Sequence, residues 1–120
     1  MQDFHELRVW EKAHSLTLKI YTMTKSFPAD ELYGLTSQMR RAAASIGANI
    51  CEGCGRETRP DFAHFLQIAA GSSSELQYHL VLAHDLGYVS LHDCSHLTTD
   101  VTEIKRMLTG LIQRIRKKAA

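Results

Sequence analysis

Apolar side chains recur at alternating spacings of three and four residues in four separate segments of this 120-residue chain. Such spacing is typical of helices that bury one face, and no stretch shows the strict alternation of a half-buried strand. The pattern predicts helices at roughly 7–26, 31–54, 59–86 and 92–117. With short connections, they predict an all-α, up-down-up-down, left-handed four-helix bundle that forms a single domain over 1–120.

Helix ends carry local sequence signals. Pro28 ends the first helix, because the residue before a proline is disfavoured in helical backbone. Asp30 is a candidate N-cap for the second helix and Thr58 for the third, since both side chains can accept a hydrogen bond from a free backbone amide. Gly53 and Gly55 indicate where the second helix stops.

Small residues are concentrated in the second helix over 42–49 and in the third over 71–74. Small side chains allow two helices to approach closely. Gly47 costs about 1 kcal/mol relative to alanine inside a helix, so we expect a close contact or a bend at this position.

Other apolar residues fall outside the four stripes. Extra apolar surface on a monomer usually marks an interface, so these residues predict self-association through two different patches of each subunit. They are Trp10, Leu18 and Tyr21 on the first helix, and Leu66, Ile68 and Tyr78 on the third.

Charge is strongly segregated along the chain, although the formal net charge is only +1. Residues 61–104 hold 6 acidic side chains and no lysine or arginine, whereas residues 105–120 hold 6 basic side chains and no acid. With 2 prolines, 3 cysteines and 44% hydrophobic residues, the composition argues against a disordered chain and a disulfide framework. No apolar run approaches a membrane span and no signal peptide is apparent, so we expect a cytoplasmic protein.

The chain resembles the bacterial four-helix-bundle proteins first found as reading frames inside intervening sequences of 23S ribosomal RNA. The likeness extends from Phe4 to about Ile115 and is most specific over 34–56. It rests on the runs LRVWEKAH (7–14), FP (27–28), ELYGLTSQMRRA (31–42), SIGANICEG (45–53), GR (55–56), FLQIA (65–69) and DLGY (85–88).

This resemblance implies an all-α bundle that assembles as a homopentameric ring. It also implies a similarity to accessory proteins of diversity-generating retroelements, which work beside a reverse transcriptase and RNA. The chain departs from the family pattern at three positions. Gly47 stands where the pattern has proline, Cys51 where alanine is usual, and Cys54 where a larger residue is common.

Metal and enzyme functions have weak support in the sequence. Cys51 and Cys54 have the spacing of half a zinc site, but His92, Cys94 and His96 could complete it only if opposite ends of the bundle met. Glu52 and Glu75 could form a carboxylate pair for acid-base chemistry, yet no nucleophile, phosphate loop or cofactor motif accompanies them. We expect no catalytic residue, no metal and no cofactor.

A charged network is the preferred interpretation of the polar residues around the second helix. Asn49, Glu52 and Arg56 fall on one helix face, and Glu75 lies beside the glycine-serine patch of the third helix. Glu52 or Glu75 paired with Arg41 or Arg56 would fix the register between helices or subunits. The candidate network is therefore Arg41, Asn49, Glu52, Arg56 and Glu75.

Antiparallel topology brings the basic ends of the second and fourth helices to one end of the bundle. We call this group the basic pole; it comprises Arg56, Arg59, Arg114, Arg116, Lys117 and Lys118. Such a cluster can neutralise phosphates, and a ring would repeat it on one face. Together with the homopentameric ring that the resemblance implies, this pattern predicts a non-enzymatic scaffold or adaptor that binds RNA or a ribonucleoprotein. The alternative is a protein–protein assembly module without nucleic-acid contact, in which the basic residues only solubilise a helix end.

Overall fold

The computed structural model describes residues 2–119, which contain four long helices and no strand. The helices are α1 (Arg8–Thr24), α2 (Leu35–Cys54), α3 (Arg59–Asp85) and α4 (Leu91–Ala119). Short 3-10 turns at Phe4–Glu6 and Ala29–Glu31 precede α1 and α2. The chain is 84% helical, which confirms the prediction of an all-α four-helix bundle.

Each helix packs against two neighbours around a shared core. α1 contacts α2 and α4, and α3 contacts the same two helices, so α1 and α3 lie at diagonal corners. The pair α2 and α3 makes the most extensive contact. Two ion pairs join α1 to α4, Lys12 Nζ to Glu103 Oε1 and Lys19 Nζ to Asp100 Oδ2, both at 3.0 Å. They lie at the surface, where a pair contributes only about 0–1 kcal/mol.

The start of α2 differs from its expected position at residue 31. Asp30 lies in the 3-10 turn and does not cap α2, which begins four residues later at Leu35. Gly34, with φ −112° and ψ −116°, interrupts helical backbone between the turn and α2. The hydrogen bond expected from Asp30 is made by Glu31 instead, whose Oε1 accepts from the Leu35 amide, the first of α2, at 3.3 Å.

The two ends of α3 follow recognised capping patterns. The Thr58 hydroxyl oxygen accepts a hydrogen bond from the Asp61 amide at 3.2 Å, which confirms Thr58 as the N-cap. At the other end, Gly87 has φ +81°, a left-handed conformation that favours glycine. The Tyr88 amide then donates to the Ala83 carbonyl at 2.9 Å, which closes α3 and turns the chain towards α4.

The core is built from the four apolar stripes, and two positions differ from the prediction. Leu32, which the apolar spacing places on the buried face of the second helix, is 50% exposed because it precedes the displaced start of α2. Leu66, predicted to lie outside the stripes, is completely buried. α3 makes the two most extensive helix–helix contacts of the bundle, with α2 and with α4, so it buries a wider arc than one stripe. The largest fully buried side chains include Leu16, Ile20, Met39, Ile46, Ile50, Leu66, Leu76, Leu80, Ile104 and Leu108.

Of the glycines of α2, Gly53 and not Gly47 has the tightest surroundings. A Cβ atom on Gly53 would lie 2.9 Å from Phe62 Cδ1 and 3.2 Å from the Phe62 carbonyl oxygen. A Cβ atom on Gly47 would meet only the Trp10 ring, at an ordinary 3.6 Å. The expected close contact therefore exists, but it lies in the last turn of α2, where Gly53 is part of the helix rather than its stop signal.

A histidine ring is buried between the helices. His79 is 6% exposed, and its Nδ1 atom has no hydrogen-bond partner within the described residues. Burial lowers the pKa of His79 below its ordinary value of 6.5, and the negative charge of Glu75 opposes this only in part. The folded protein therefore resists protonation of this ring.

We expect the stability of the protein to fall as the pH drops through 6.5. The unfolded chain protonates His79 at its ordinary pKa of 6.5, while the folded state does so only at lower pH. Stability from the neutral ring is thus complete above 6.5 and decreases below it. Urea unfolding at neutral pH and one unit below 6.5 measures the effect. His79→Leu should weaken the pH dependence, and an unchanged dependence in that variant would contradict the assignment.

Candidate nucleic-acid interface at the basic pole

Four chain segments meet at one end of the bundle. α2 and α4 end there, while α1 and α3 begin there. The Gln2 amide donates a hydrogen bond to the Cys54 carbonyl at 3.1 Å, which fixes the N-terminal segment against the end of α2. This junction lies where the sequence predicts the basic pole.

Four of the six basic-pole residues surround a pocket of about 540 Å³ at this junction. They are Arg56, Arg59, Arg114 and Lys118. Glu57 is the only acidic residue in the pocket lining. The antiparallel helices thus gather charges from chain positions about sixty residues apart into one electropositive recess.

The other two basic-pole residues, Arg116 and Lys117, do not line the pocket. Both are exposed on the last turns of α4. They can contribute to the positive electrostatic potential at this end of the bundle without contacting a ligand in the recess. The sequence analysis did not separate Arg114 and Lys118 from Arg116 and Lys117.

Arg56 is held in place by two contacts. Its Nη2 donates to Glu52 Oε1 at 2.6 Å, and its guanidinium carbon lies 4.6 Å from the centre of the Phe65 ring. The pair with Glu52 links residues one helical turn apart, and both side chains are about half exposed. Arg56 is therefore positioned at the pocket, but part of its charge is already balanced.

The remaining members of the candidate network lie apart from this pair. Asn49 Nδ2 donates to the Ser45 hydroxyl at 2.9 Å, and the hydroxyl groups of Ser45 and Ser72 are 2.9 Å apart. This polar contact joins α2 to α3. Within the part of the chain that the structure describes, Arg41 and Glu75 join neither group through hydrogen bonds or ion pairs, and both are exposed. The structure thus brings together only Glu52 and Arg56.

The inner lining of the pocket is apolar. Cys54 and Ile115 are buried, while Leu7, Phe62 and Leu111 are half-buried. Burial raises the pKa of the Cys54 thiol to about 11. Burial also raises the pKa of Cys51. Both groups are therefore neutral thiols at physiological pH, unlike the thiolates that serve as nucleophiles or metal ligands.

The sulfur and imidazole groups form no metal centre in the described region. Across residues 2–118, no three His, Cys, Asp or Glu side chains lie close enough together to hold a metal ion. His92 and His96 are exposed at the start of α4, at the opposite end of the bundle from Cys51 and Cys54. The Cys94 thiol is directed to the Leu80 carbonyl oxygen at 3.6 Å.

An aromatic cluster beside the basic pole was not evident from the sequence. The rings of Phe4, Trp10 and His14 pack in series, with Trp10 and His14 nearly parallel at 5.1 Å. His5 completes the cluster and donates its amide to Asp3, whose pKa is lowered by that hydrogen bond. The only sequence signal was the spacing of four residues between Trp10 and His14.

A family model described as "23S rRNA-intervening sequence protein" matches residues 5–110 of this chain. The chain belongs to the 23S rRNA-intervening sequence protein family. The match covers all of α1, α2 and α3 and most of α4, and it includes two of the four pocket cations, Arg56 and Arg59. Membership confirms the resemblance drawn from the sequence motifs.

A solved structure has the same fold. It is described as the crystal structure of a protein of unknown function from the S23 ribosomal protein family of Bacteroides thetaiotaomicron VPI-5482. The two chains are 28% identical, with a TM-score of 0.82, and the alignment covers 88% of this chain and 95% of that one. No curated protein gives a significant match. Among the described residues, no helix is long and apolar enough to cross a membrane.

Proposed function

We propose that this protein is a non-enzymatic scaffold or adaptor that assembles into a homopentameric ring and contacts RNA through its basic pole. It would act in the cytoplasm without a cofactor. The number five comes from the family resemblance. The observation that carries the RNA contact is the recess in which Arg56, Arg59, Arg114 and Lys118 oppose a single carboxylate.

The charge of the recess suits a polyanion better than a neutral partner. Lys and Arg neutralise phosphates, and the released counterions make the affinity depend strongly on salt. Exposed charges further apart than about 8 Å are screened at physiological salt. A nucleic acid that approaches closely would therefore have the strongest electrostatic interaction with these side chains. The sequence has no helix-turn-helix signature, so backbone and shape contacts would dominate.

The outer surface of α3 supports assembly. Ile68, Tyr78 and Val81 are exposed by 39%, 62% and 53% on this helix. After Arg59, α3 contains no lysine or arginine. A helix that is apolar on more than its core-facing side is typically buried further by a partner. A neighbouring subunit is the partner that the family resemblance implies.

Replacing Arg114, Arg116, Lys117 and Lys118 by glutamine should weaken RNA binding and leave the fold and ring intact. All four side chains are exposed and outside the core. Each lost phosphate contact on single-stranded RNA should reduce the salt slope of log K by about 0.7. Filter binding over a salt series measures both effects. As the control, Asp85→Asn with Asp93→Asn changes the acidic end and should not weaken binding.

The outcome separates the two candidate functions. If wild-type protein fails to bind RNA even at low salt, the protein is an assembly module without nucleic-acid contact. If the glutamine variant binds as tightly as wild type, the basic pole only solubilises the helix end. The exposed apolar residues of α3 are the observation that favours the assembly module, because they need no RNA.

Light scattering of the purified protein tests the ring itself. A pentamer at micromolar concentration is expected, and Tyr78→Glu with Val81→Glu should dissociate it by placing charge on the outer surface of α3. Tyr33→Glu is the matched control, since Tyr33 is 94% exposed in the connection between α1 and α2. A monomeric wild type would refute the proposed assembly.

A further inference from the structure

The pocket at the basic pole has two chemically different parts. Its exposed rim consists of Arg56, Arg59, Arg114 and Lys118. Its less exposed floor consists of Leu7, Cys54, Phe62, Leu111 and Ile115. A continuous RNA backbone offers phosphates to the rim but no apolar group to the floor. A ligand that fills both parts needs an anionic group attached to a flat, largely apolar one.

The rim charge favours a phosphomonoester over a phosphodiester. Four cations face one carboxylate in the lining, and the charge of Arg56 is partly balanced by Glu52. The partial charges of the helix ends nearly cancel, since two helices begin and two end here. The electrostatic potential in the pocket is therefore determined by the charged side chains rather than by the helix ends. A terminal phosphate carries about −1.5 to −2 charges, compared with −1 for a backbone diester.

The pocket also offers neutral hydrogen-bond donors and enough room. The Thr58 hydroxyl oxygen accepts from the Asp61 amide, so its own proton is free to be donated to a ligand. Gln2 is part of the same lining. The volume of about 540 Å³ falls within the range of about 300–1,000 Å³ that is common for small-molecule sites.

We propose that this pocket binds a nucleoside monophosphate, with the phosphate on the cationic rim and the base against Phe62 and the apolar floor. The ligand would be either the phosphorylated end of an RNA chain or a free nucleotide, because both present the same chemistry. The RNA form of this inference rests on the proposed function. It adds that the protein recognises an RNA end rather than only a stretch of backbone.

Calorimetry with adenosine 5′-monophosphate and adenosine tests the pocket without RNA. The nucleotide should bind about tenfold or more tightly than the nucleoside, as expected for a charge-assisted hydrogen bond. Arg114→Gln with Lys118→Gln should abolish this difference. Arg116→Gln with Lys117→Gln is the matched control, because it removes equal charge from the same helix end outside the pocket and should retain the difference. The proposal would be overturned if wild-type protein bound the nucleotide and the nucleoside equally well. It would also be overturned if both variants lost the same amount of nucleotide affinity.

Two short single-stranded RNAs that differ only in a 5′-phosphate or 5′-hydroxyl end identify the source of the ligand. Preference for the phosphorylated end, lost in Arg114→Gln with Lys118→Gln, supports RNA-end recognition. Nucleotide binding without an end preference supports a free nucleotide. If RNA binds without an end preference and adenosine monophosphate binds no more tightly than adenosine, the pocket proposal fails while the scaffold function stands. If adenosine monophosphate binds but RNA does not, the scaffold's RNA role fails and the pocket proposal stands.

Discussion

Leu66→Ala is expected to lower the free energy of unfolding by about 2–5 kcal/mol, the usual cost of a large-to-small change in a core. Leu66 is completely buried on α3, where α3 packs against both α2 and α4. Removing most of the side chain loses its transfer free energy and leaves a cavity that rigid helices close only in part. Urea unfolding at fixed protein concentration measures the change.

Ile68→Ala is the matched comparison two residues along the same helix. Ile68 is 39% exposed, so its truncation should cost much less stability within one subunit. In an assembled ring, it should instead weaken association, which appears as a lower oligomer mass on dilution. Equal losses of stability in the two variants would contradict the placement of Leu66 in the core and Ile68 at the surface.

Gly53→Ala is expected to destabilise the protein although alanine is the better helix former. The added Cβ would lie 2.9 Å from Phe62 Cδ1, 3.1 Å from Phe65 Cβ and 3.2 Å from a backbone oxygen. The backbone of α3 must shift to admit it, and such overpacking typically costs about 1–3 kcal/mol. Thermal unfolding should show a fall of several degrees, at about 4 °C per kcal/mol for a domain of this size.

Gly47→Ala, in contrast, should stabilise the protein. Here the new methyl group meets only the Trp10 ring, with its nearest atom at 3.6 Å, an ordinary van der Waals contact. The helix gains up to about 1 kcal/mol because alanine loses less backbone entropy than glycine on folding. If Gly53→Ala stabilised the protein as Gly47→Ala does, α3 would not approach α2 closely at Gly53.

Much of the candidate site could be anticipated from the chain. Antiparallel order alone brings Arg56 and Arg59 to the end where Arg114 and Lys118 lie, and the structure has all four around one recess. The sequence offered no sign that Arg116 and Lys117 fall outside the recess. It also could not show that Arg41 and Glu75 lie apart from the Glu52–Arg56 pair. These differences depend on the rotation of each helix about its own axis, which packing sets.

The sequence by itself determined the four helices and most of their ends. Periodic apolar positions define a helix and its buried face locally, and Thr58 caps α3 through a neighbour three residues away. Tertiary structure alone decided the rest. It placed Leu66 in the core because α3 makes more extensive contacts with its two neighbours than α1 does, and it made Gly53 a close contact because Phe62 lies against it. It also joined an apolar floor to a cationic rim, since a pocket consists of surfaces from helices far apart in sequence.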